Sequence, residues 1–205
     1  MEYFDMMSKN FDTDERTTRA VAIADKIRTL ITDCGTKSAI EFGCGTGLVG
    51  FQLIDVFQSL VLMDSSAGMI SKVEEKLQSL EISNASALFC DLSVEAPENL
   101  RVDYIFSSMA LHHVDDTEAI LRTFRDLLND GGHLLIVDLD KEDGSFHSDV
   151  PGFDGHNGFE QSALRGLTEN AGFTKVTMET FYHDIKVADG KESPYSLFIM
   201  DATKQ

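Results

Sequence analysis

The stretch Ile40-Glu41-Phe42-Gly43-Cys44-Gly45-Thr46-Gly47 decides the fold class of this 205-residue chain. Residues 38–42, with apolar Ala39, Ile40 and Phe42, predict a short buried strand, and the glycines after it predict a tight turn into a helix over residues 48–56. Glycines at such a turn let the backbone approach a ligand, which then faces the N-terminus of the helix. The stretch therefore predicts an α/β fold with a ligand site at the carboxyl end of this strand.

Helical and strand patterns alternate on both sides of this stretch, which is typical of a mainly parallel sheet. The predicted strands are residues 38–42, 59–63, 85–90, 102–107, 133–139, 173–183 and 195–202. The predicted helices are residues 17–31 and 48–56, a helix capped by Ser65 or Ser66, a helix that starts at Asp115-x-x-Glu118 and ends at Gly131-Gly132, and residues 159–171. The short connection 184–194 predicts that the last two strands are antiparallel. The long polar loop 140–158 suggests a functional segment.

Composition limits the class of protein. Lys and Arg total 17 against 35 Asp and Glu, a net charge of −18 that disfavours nucleic acid and anionic membranes as partners. Length and 42% hydrophobic residues fit a single domain over 1–205, with residues 1–35 as an N-terminal cap region. No apolar run approaches the ~18 residues that span a bilayer. Three cysteines without a CxxC pair favour a cytoplasmic protein.

The glycine loop alone leaves two ligand classes open. Gly45-x-Gly47-x-x-Gly50 matches the dinucleotide fingerprint, and Asp64 follows Gly45 by 19 residues, near the spacing expected for a ribose-binding acid. Glu41 argues against a dinucleotide, because a carboxylate at the strand end would repel a pyrophosphate and attract a cationic ligand.

The wider set of motifs resembles the class I S-adenosylmethionine-dependent methyltransferases over about residues 38–202. The resemblance rests on Glu-x-Gly-x-Gly-x-Gly at 41–47 and on Asp64 after the second strand. Further matching segments are Cys90-Asp91-Leu92, residues 102–113, residues 127–134 and Ala171-Gly172-Phe173. The chain is most similar to the small bacterial-type branch of that group, whose substrates are mixed.

The resemblance implies a Rossmann-like, doubly wound sheet of seven strands in the order 3-2-1-4-5-7-6, with strand seven antiparallel and helices on both faces. It implies that Glu41 stands near the ammonium group of S-adenosylmethionine and that Asp64 accepts both ribose hydroxyls. The other implied cofactor-binding residues are Gly43, Cys44 and Gly45 at the methionine part, Ser65 beside Asp64, Asp91 and Leu92 at the adenine, and Ser108 near the methyl group.

The N-terminal arm carries Tyr3, Phe4 and Phe11 among polar residues. The resemblance suggests that this arm folds over the site as a lid. Arg16 and Arg19 would then meet the cofactor carboxylate or an acidic group of the substrate. The alternative is a frayed terminus with its aromatic residues packed at the sheet edge.

Most histidines fall at the predicted ligand edge of the sheet. His112 and His113 follow strand four, His147 and His156 lie in the long loop, and His183 ends strand six. We expect His113 or His147 to face the methyl acceptor and to act as a general base; the alternative is that they are ordinary loop histidines. A metal site is a competing use of His112, His113, Asp138 and His147. We expect none, because no tight His-x-x-x-His spacing occurs.

These observations favour a methyltransferase that acts on a small-molecule acceptor by in-line displacement from S-adenosylmethionine. Two alternatives stay open: an NAD(P)-dependent oxidoreductase, from the literal glycine match, and a non-catalytic S-adenosylmethionine-binding protein. The sequence identifies neither the acceptor nor the atom that is methylated.

Overall fold

A computed structural model describes residues 2–150, 152–188 and 190–205, without the side chains of Glu2, Tyr3 and Ala188. The helices are α1 Glu2–Met7, α2 Asp14–Arg28, α3 Gly50–Leu53, α4 Ala67–Ser79, α5 Thr117–Leu127 and α6 Gln161–Asn170, with 3₁₀ turns at Ser8–Asn10 and Leu111–His113. The strands are β1 Ser38–Phe42, β2 Ser59–Asp64, β3 Ala85–Phe89, β4 Val102–Ser108, β5 Leu128–Leu139, β6 Phe173–Ala188 and β7 Lys191–Lys204.

The strands form one seven-stranded sheet in the order β3-β2-β1-β4-β5-β7-β6. The pairs among β1 to β5 are parallel, and β7 runs antiparallel to both β5 and β6. The predicted fold class, strand order and antiparallel strand seven are thus confirmed. The chain reverses its direction of winding between β1 and β4, so the carboxyl ends of these two strands border a crevice.

Each face of the sheet is covered by apolar side chains, as expected for parallel strands that are buried on both sides. In β1, Ala39 belongs to the core beneath α2, whereas its neighbour Ile40 belongs to the core beneath α5. α2 contributes Ile23 and Ile27 to the first core, and α5 contributes Phe124 to the second. The two cores hold the carboxyl edge of the sheet rigid from both sides.

The helix predicted over residues 48–56 contains only one α-helical turn, α3. The chain on either side bends through short i→i+3 hydrogen bonds, from Gln52 N–H to the Val49 carbonyl and from Val56 N–H to the Leu53 carbonyl. The helix prediction was therefore too long.

Strand β5 begins at Leu128 and not at His133, so Gly131 and Gly132 do not end the preceding helix. Leu128 is buried and pairs with Val102, which draws the chain into extended conformation directly after α5. The cap prediction was wrong by one residue: Asp116, not Asp115, accepts the Ala119 N–H at 2.9 Å. At α4, Ser66 is the cap, in line with one of the two predicted serines.

The segment predicted as a connection, residues 184–194, forms the outer part of the β6–β7 hairpin. Pro194 pairs with Ile185 inside this ladder. Tyr195 packs edge-on against Phe146 of the 140–158 loop, with ring centroids 4.9 Å apart. The hairpin therefore supports the long loop. Within the described residues, no helix has the length and apolar composition needed to cross a bilayer.

Candidate functional site

A cavity of about 560 Å³ opens at the carboxyl ends of β1 and β4. Most of the residues that line it come from the ends of β1 to β4 and from the N-terminal segment. All nine residues predicted to bind the cofactor line this cavity, namely Glu41, Gly43, Cys44, Gly45, Asp64, Ser65, Asp91, Leu92 and Ser108. His113 also lines it, but His147 does not lie among the lining residues.

The glycine loop forms one wall of the cavity because its backbone adopts conformations that favour glycine. Gly43 has φ +66° and Gly45 has φ +54°. A Cβ atom at Gly43 would collide with the Ala110 side chain, which belongs to the segment after β4. The loop after β1 and the loop after β4 therefore approach each other as closely as glycine permits.

Asp64 anchors this wall from the end of β2. One carboxylate oxygen accepts the Gly45 N–H at 2.8 Å, and the other accepts the Ser66 N–H at 2.8 Å. Burial raises the pKa of Asp64, while these backbone N–H groups partly counter that rise. Each carboxylate oxygen can accept more than one hydrogen bond, so Asp64 keeps acceptor capacity for ligand hydroxyls.

Glu41 is the least satisfied carboxylate of the cavity wall. It is only 1% exposed, and its Oε2 atom has no hydrogen-bond partner. Burial raises the pKa of Glu41 to about 8, even though the Gly50 backbone donates a hydrogen bond to it. An ionised, unpaired carboxylate is costly in such a place, so a cation beside Glu41 would be strongly favoured.

The far side of the cavity is built by the residues after β3. The Asp91 carboxylate accepts both the Ser93 N–H, at 3.0 Å, and the Ser93 hydroxyl, at 2.6 Å, and so holds a local turn. Leu92 is buried beside it. Cys44 lies on the β1 side, where burial raises the pKa of its thiol well above the usual range. Cys44 is therefore a protonated packing residue.

The floor of the cavity follows β4. Met109 adopts φ +55°, a left-handed conformation that is strained for a residue with a side chain. Its N–H donates to the Val137 carbonyl at 2.9 Å, which holds the strained residue in place. Ser108 and Ala110, on either side of Met109, line the cavity with it. Strain of this kind is found mainly at functional sites, and no residue pattern predicted it here.

Residues of the N-terminal segment line part of the cavity. Phe4, Phe11, Arg16 and Arg19 all line it. Arg16 lies over the Phe11 ring, 4.3 Å from the ring centroid. Tyr3 was also predicted to belong to the arm over the site, but its side chain lies outside the described part of the chain.

Two acidic residues attach this N-terminal segment to α4, and we call the contacts of each one a clasp. The Asp5 carboxylate accepts the Ser66 hydroxyl at 2.5 Å and the Gly68 N–H at 2.9 Å. Asp12 pairs with Lys76 at 2.8 Å and also accepts a short hydrogen bond from the Thr46 hydroxyl. Sequence reasoning missed both clasps, because they join residues that lie far apart in the chain.

The fold brings three of the six histidines together beside the cavity. The ring centroids of His112 and His113 are 4.1 Å apart, and those of His113 and His147 are 5.7 Å apart. His156 is turned away, with Nε2 3.0 Å from the Val114 carbonyl, and His183 is exposed on β6. Both had been expected at the ligand edge, but neither belongs to this group.

The surroundings of His113 and His147 lower the pKa of both rings. Burial, reinforced by the neighbouring histidines, lowers the pKa of His113 to about 3. The ring is accessible from the cavity but crowded by protein on its other side. Burial and the nearby His112 lower the pKa of His147 to about 4. His113 and His147 are therefore neutral near pH 7.

Sequence comparison assigns the family of this chain. A family model described as a methyltransferase domain matches residues 15–178, which is most of the chain. The chain belongs to the methyltransferase domain family. Its membership confirms the resemblance to the class I S-adenosylmethionine-dependent methyltransferases and favours that interpretation of the glycine loop over the dinucleotide one.

Relatives of this methyltransferase domain occur in several lineages. An uncharacterized methyltransferase of Schizosaccharomyces pombe is 28% identical over 153 residues, which cover 68% of this chain and 54% of the relative. The chain spans about half the length of the first curated relatives it matches.

Solved structures share the architecture of this methyltransferase domain. A SAM-dependent methyltransferase from Aquifex aeolicus has a TM-score of 0.70 at 16% identity, with 98% of each chain covered. Phosphoethanolamine N-methyltransferase 2 of Haemonchus contortus has a TM-score of 0.74 at 15% identity, covering 91% of this chain and 52% of that one. At these identities the comparison shows the common fold.

Proposed function

We propose that this protein transfers a methyl group from S-adenosylmethionine to a small-molecule acceptor bound in the same cavity. The observation that carries the proposal is the buried Glu41 carboxylate, which lies on the cavity wall with an unpartnered oxygen. A cationic amino acid group beside it would supply the missing partner. Asp64, at the neighbouring strand end, has the acceptor capacity that ribose hydroxyls need.

The remaining cavity residues fit the same ligand. The glycine loop allows close backbone approach to the methionine part, and Leu92 offers an apolar surface with Asp91 beside it for an adenine ring. The cofactor supplies a methyl group that its sulfonium has already activated. The protein must therefore align the acceptor and exclude water. Such positioning can lower the activation barrier by about 7–11 kcal/mol.

The size and charge of the site favour a small acceptor. A cavity of about 560 Å³ falls within the range of small-molecule sites, roughly 300–1,000 Å³. The net charge of −18 disfavours a nucleic acid. The Haemonchus contortus enzyme was crystallised with phosphomonomethylethanolamine and S-adenosylhomocysteine, so this fold accommodates a small acceptor in that protein.

We propose that His113 contacts the acceptor and accepts its proton where the acceptor arrives protonated. His113 lines the cavity together with Ser108 and Met109. Its pKa of about 3 makes the ring a weak base in the ligand-free protein, so this role requires the bound acceptor to raise that pKa. His147 lies behind it and supports it.

We further propose that residues 1–35 act as a lid, since Phe4 and Arg19 reach into the cavity. The three free cysteines fit a reducing compartment, and a cytoplasmic location is therefore part of the proposal.

Calorimetric titration with S-adenosylhomocysteine, S-adenosylmethionine and NADH tests the ligand class. We expect the first two to bind and NADH not to bind. Binding should release a proton at pH 7, because Glu41 is protonated in the free protein and ionised beside an ammonium group. Glu41→Gln should abolish that release, and selective binding of NADH would overturn the proposal.

Turnover is tested separately. The protein is incubated with S-adenosylmethionine and a panel of amines, phenols, thiols and phosphorylated amino alcohols, and S-adenosylhomocysteine is quantified. Acceptor-dependent formation supports an enzyme. Binding without formation across the panel would favour the alternative of a non-catalytic S-adenosylmethionine-binding protein.

A further inference from the structure

Three histidine side chains converge at the acceptor side of the cavity from two different segments. His112 and His113 lie on the 3₁₀ turn after β4, and His147 lies in the loop after β5. Each offers one ring nitrogen, and the three nitrogens lie within 4.8 Å of one another.

His112 is held in the orientation that metal-ligating histidines adopt. Its Nδ1 lies 2.6 Å from Asp138 Oδ1, and the other Asp138 oxygen accepts the His112 backbone N–H at 3.1 Å. Because an ionised carboxylate only accepts hydrogen bonds, Nδ1 is the donor in this pair, and Nε2 is the nitrogen that is left for another partner. Carboxylate–histidine pairs of this kind fix the ring and raise the basicity of the ligating nitrogen.

His147 provides an independent sign of a missing partner. The residue is 8% exposed, and its Nδ1 atom is buried without a hydrogen-bond partner. Its ring stacks on Phe153 with centroids 3.8 Å apart and planes within 7°. A buried, unpaired nitrogen in a ring fixed by stacking is unfavourable unless a ligand satisfies it.

We propose that His112, His113 and His147 bind one divalent transition-metal ion, such as Zn²⁺, through one nitrogen each. A Zn–N distance of about 2.0–2.1 Å in tetrahedral geometry places the nitrogens about 3.3 Å apart. The present nitrogens lie within 4.8 Å of one another, so binding of the ion requires the three rings to move closer together.

The absence of a spacing motif had argued against a metal site, but the fold supplies the proximity that the sequence does not show. Three protein ligands leave a fourth position, and because His113 lines the cavity this position opens toward the acceptor. A bound ion, and not His113, would then stabilise the deprotonated form of the acceptor, such as an alkoxide or a thiolate. That consequence rests on the proposed methyl transfer, whereas the metal site itself does not.

The test uses full-length protein stripped of metal with a chelator, in a Cys34→Ser background that removes the exposed thiol. Titration with Co²⁺ and Zn²⁺ should give one ion per chain, with a tetrahedral Co²⁺ absorption spectrum. X-ray absorption of the Zn²⁺ complex should show three imidazole ligands. Fewer than three imidazoles in this complex, or no ion bound at tenfold excess, would overturn the proposal before any histidine variant is made.

Variants locate the site. We expect His147→Ala and His113→Ala to weaken Zn²⁺ binding at least tenfold and Asp138→Asn to weaken it about 10- to 100-fold. The matched control is His156→Ala, since His156 lies in the same loop but bonds to the Val114 carbonyl; it should bind normally. Equal affinity for His147→Ala and His156→Ala would place the ion elsewhere. S-adenosylhomocysteine binding by the metal-free protein is measured in parallel, so the cofactor site is judged separately.

Discussion

The Asp64 carboxylate accepts the Gly45 backbone N–H at 2.8 Å, which ties the end of β2 to the glycine loop after β1. The same carboxylate accepts the Ser66 N–H, at the residue that caps α4. One side chain thereby fixes three structural elements around the cavity. Ligand binding and loop geometry are coupled at Asp64, and a change there should affect both.

Replacement of Asp64 by Asn should weaken S-adenosylhomocysteine binding by roughly 10- to 150-fold. Hydrogen bonds to a charged group contribute about 1.5–3 kcal/mol, and the amide can accept through only one atom. Isothermal titration measures the change. Asp55→Asn is the matched control, because Asp55 is an exposed acid paired with Arg28 at the surface. A dissociation constant within about twofold of wild type for Asp64→Asn would contradict the assigned role.

Glu41 should make the stability of the ligand-free protein fall as the pH rises. Its pKa is about 8 in the folded state against 4.5 for an ordinary Glu, so between these values the folded state holds a proton that the unfolded state has lost. The free energy of unfolding therefore decreases from about pH 4.5 to 8, by up to roughly 5 kcal/mol from this group.

Urea unfolding at pH 5 and pH 8 measures this effect in wild type and in Glu41→Gln. Other titrating groups contribute to both proteins, so the difference between the two pH slopes isolates Glu41. The variant should lose the decrease that Glu41 causes. Parallel slopes would show that Glu41 titrates normally and would remove the physical basis for its role as a cation partner.

The cofactor half of the site was predictable because its signals are local. Each predicted residue, such as Glu41, Asp64 or Asp91, stands directly at the end of a strand, and parallel strands bring those ends to one edge. The strand order followed from the family resemblance. Boundaries failed where tertiary contacts decided them, as at Leu128, whose burial starts β5 directly after α5.

The acceptor half was less predictable because its contacts join distant segments. His147 meets His112 and His113 only through the path of the 140–158 loop, which the β6–β7 hairpin supports. Asp5 reaches α4 from the N-terminus without any spacing signal. The backbone strain at Met109 depends on the close approach of two loops, which no residue pattern describes.

Replacement of His113 by Gln should lower turnover in chelator-treated protein by about 10²- to 10⁴-fold for an acceptor that arrives protonated. Glutamine can hydrogen-bond but cannot take up the proton. Affinity for S-adenosylhomocysteine should change by less than about threefold, because the cofactor contacts lie at Glu41 and Asp64. Single-turnover rates with the acceptor found in the panel provide the measurement. His183→Gln, on the exposed face of β6, should behave as wild type, and equal rates for both variants would refute the base role.

The Asp5 clasp should control access to the cavity. Asp5 accepts hydrogen bonds from the Ser66 hydroxyl and the Gly68 N–H, and these two bonds lower its pKa. Asp5→Ala removes one of the two attachments of the N-terminal segment to α4, so Phe4, which lies next to Asp5, loses its fixed position over the cavity, while the Asp12–Lys76 pair remains. Because the clasp is exposed, we expect a modest loss of S-adenosylhomocysteine affinity, about two- to fivefold.

Limited proteolysis distinguishes an opened lid from a damaged cofactor site. In Asp5→Ala, cleavage before α2 should become faster in the ligand-free protein, and saturating S-adenosylhomocysteine should restore protection because the ligand holds the segment down. Asp25→Ala is the matched control, because Asp25 is an exposed acid on α2, outside the segment that Asp5 attaches to α4. If both variants are cleaved at the wild-type rate, the N-terminal segment is held by its aromatic packing and the clasp has no gating role.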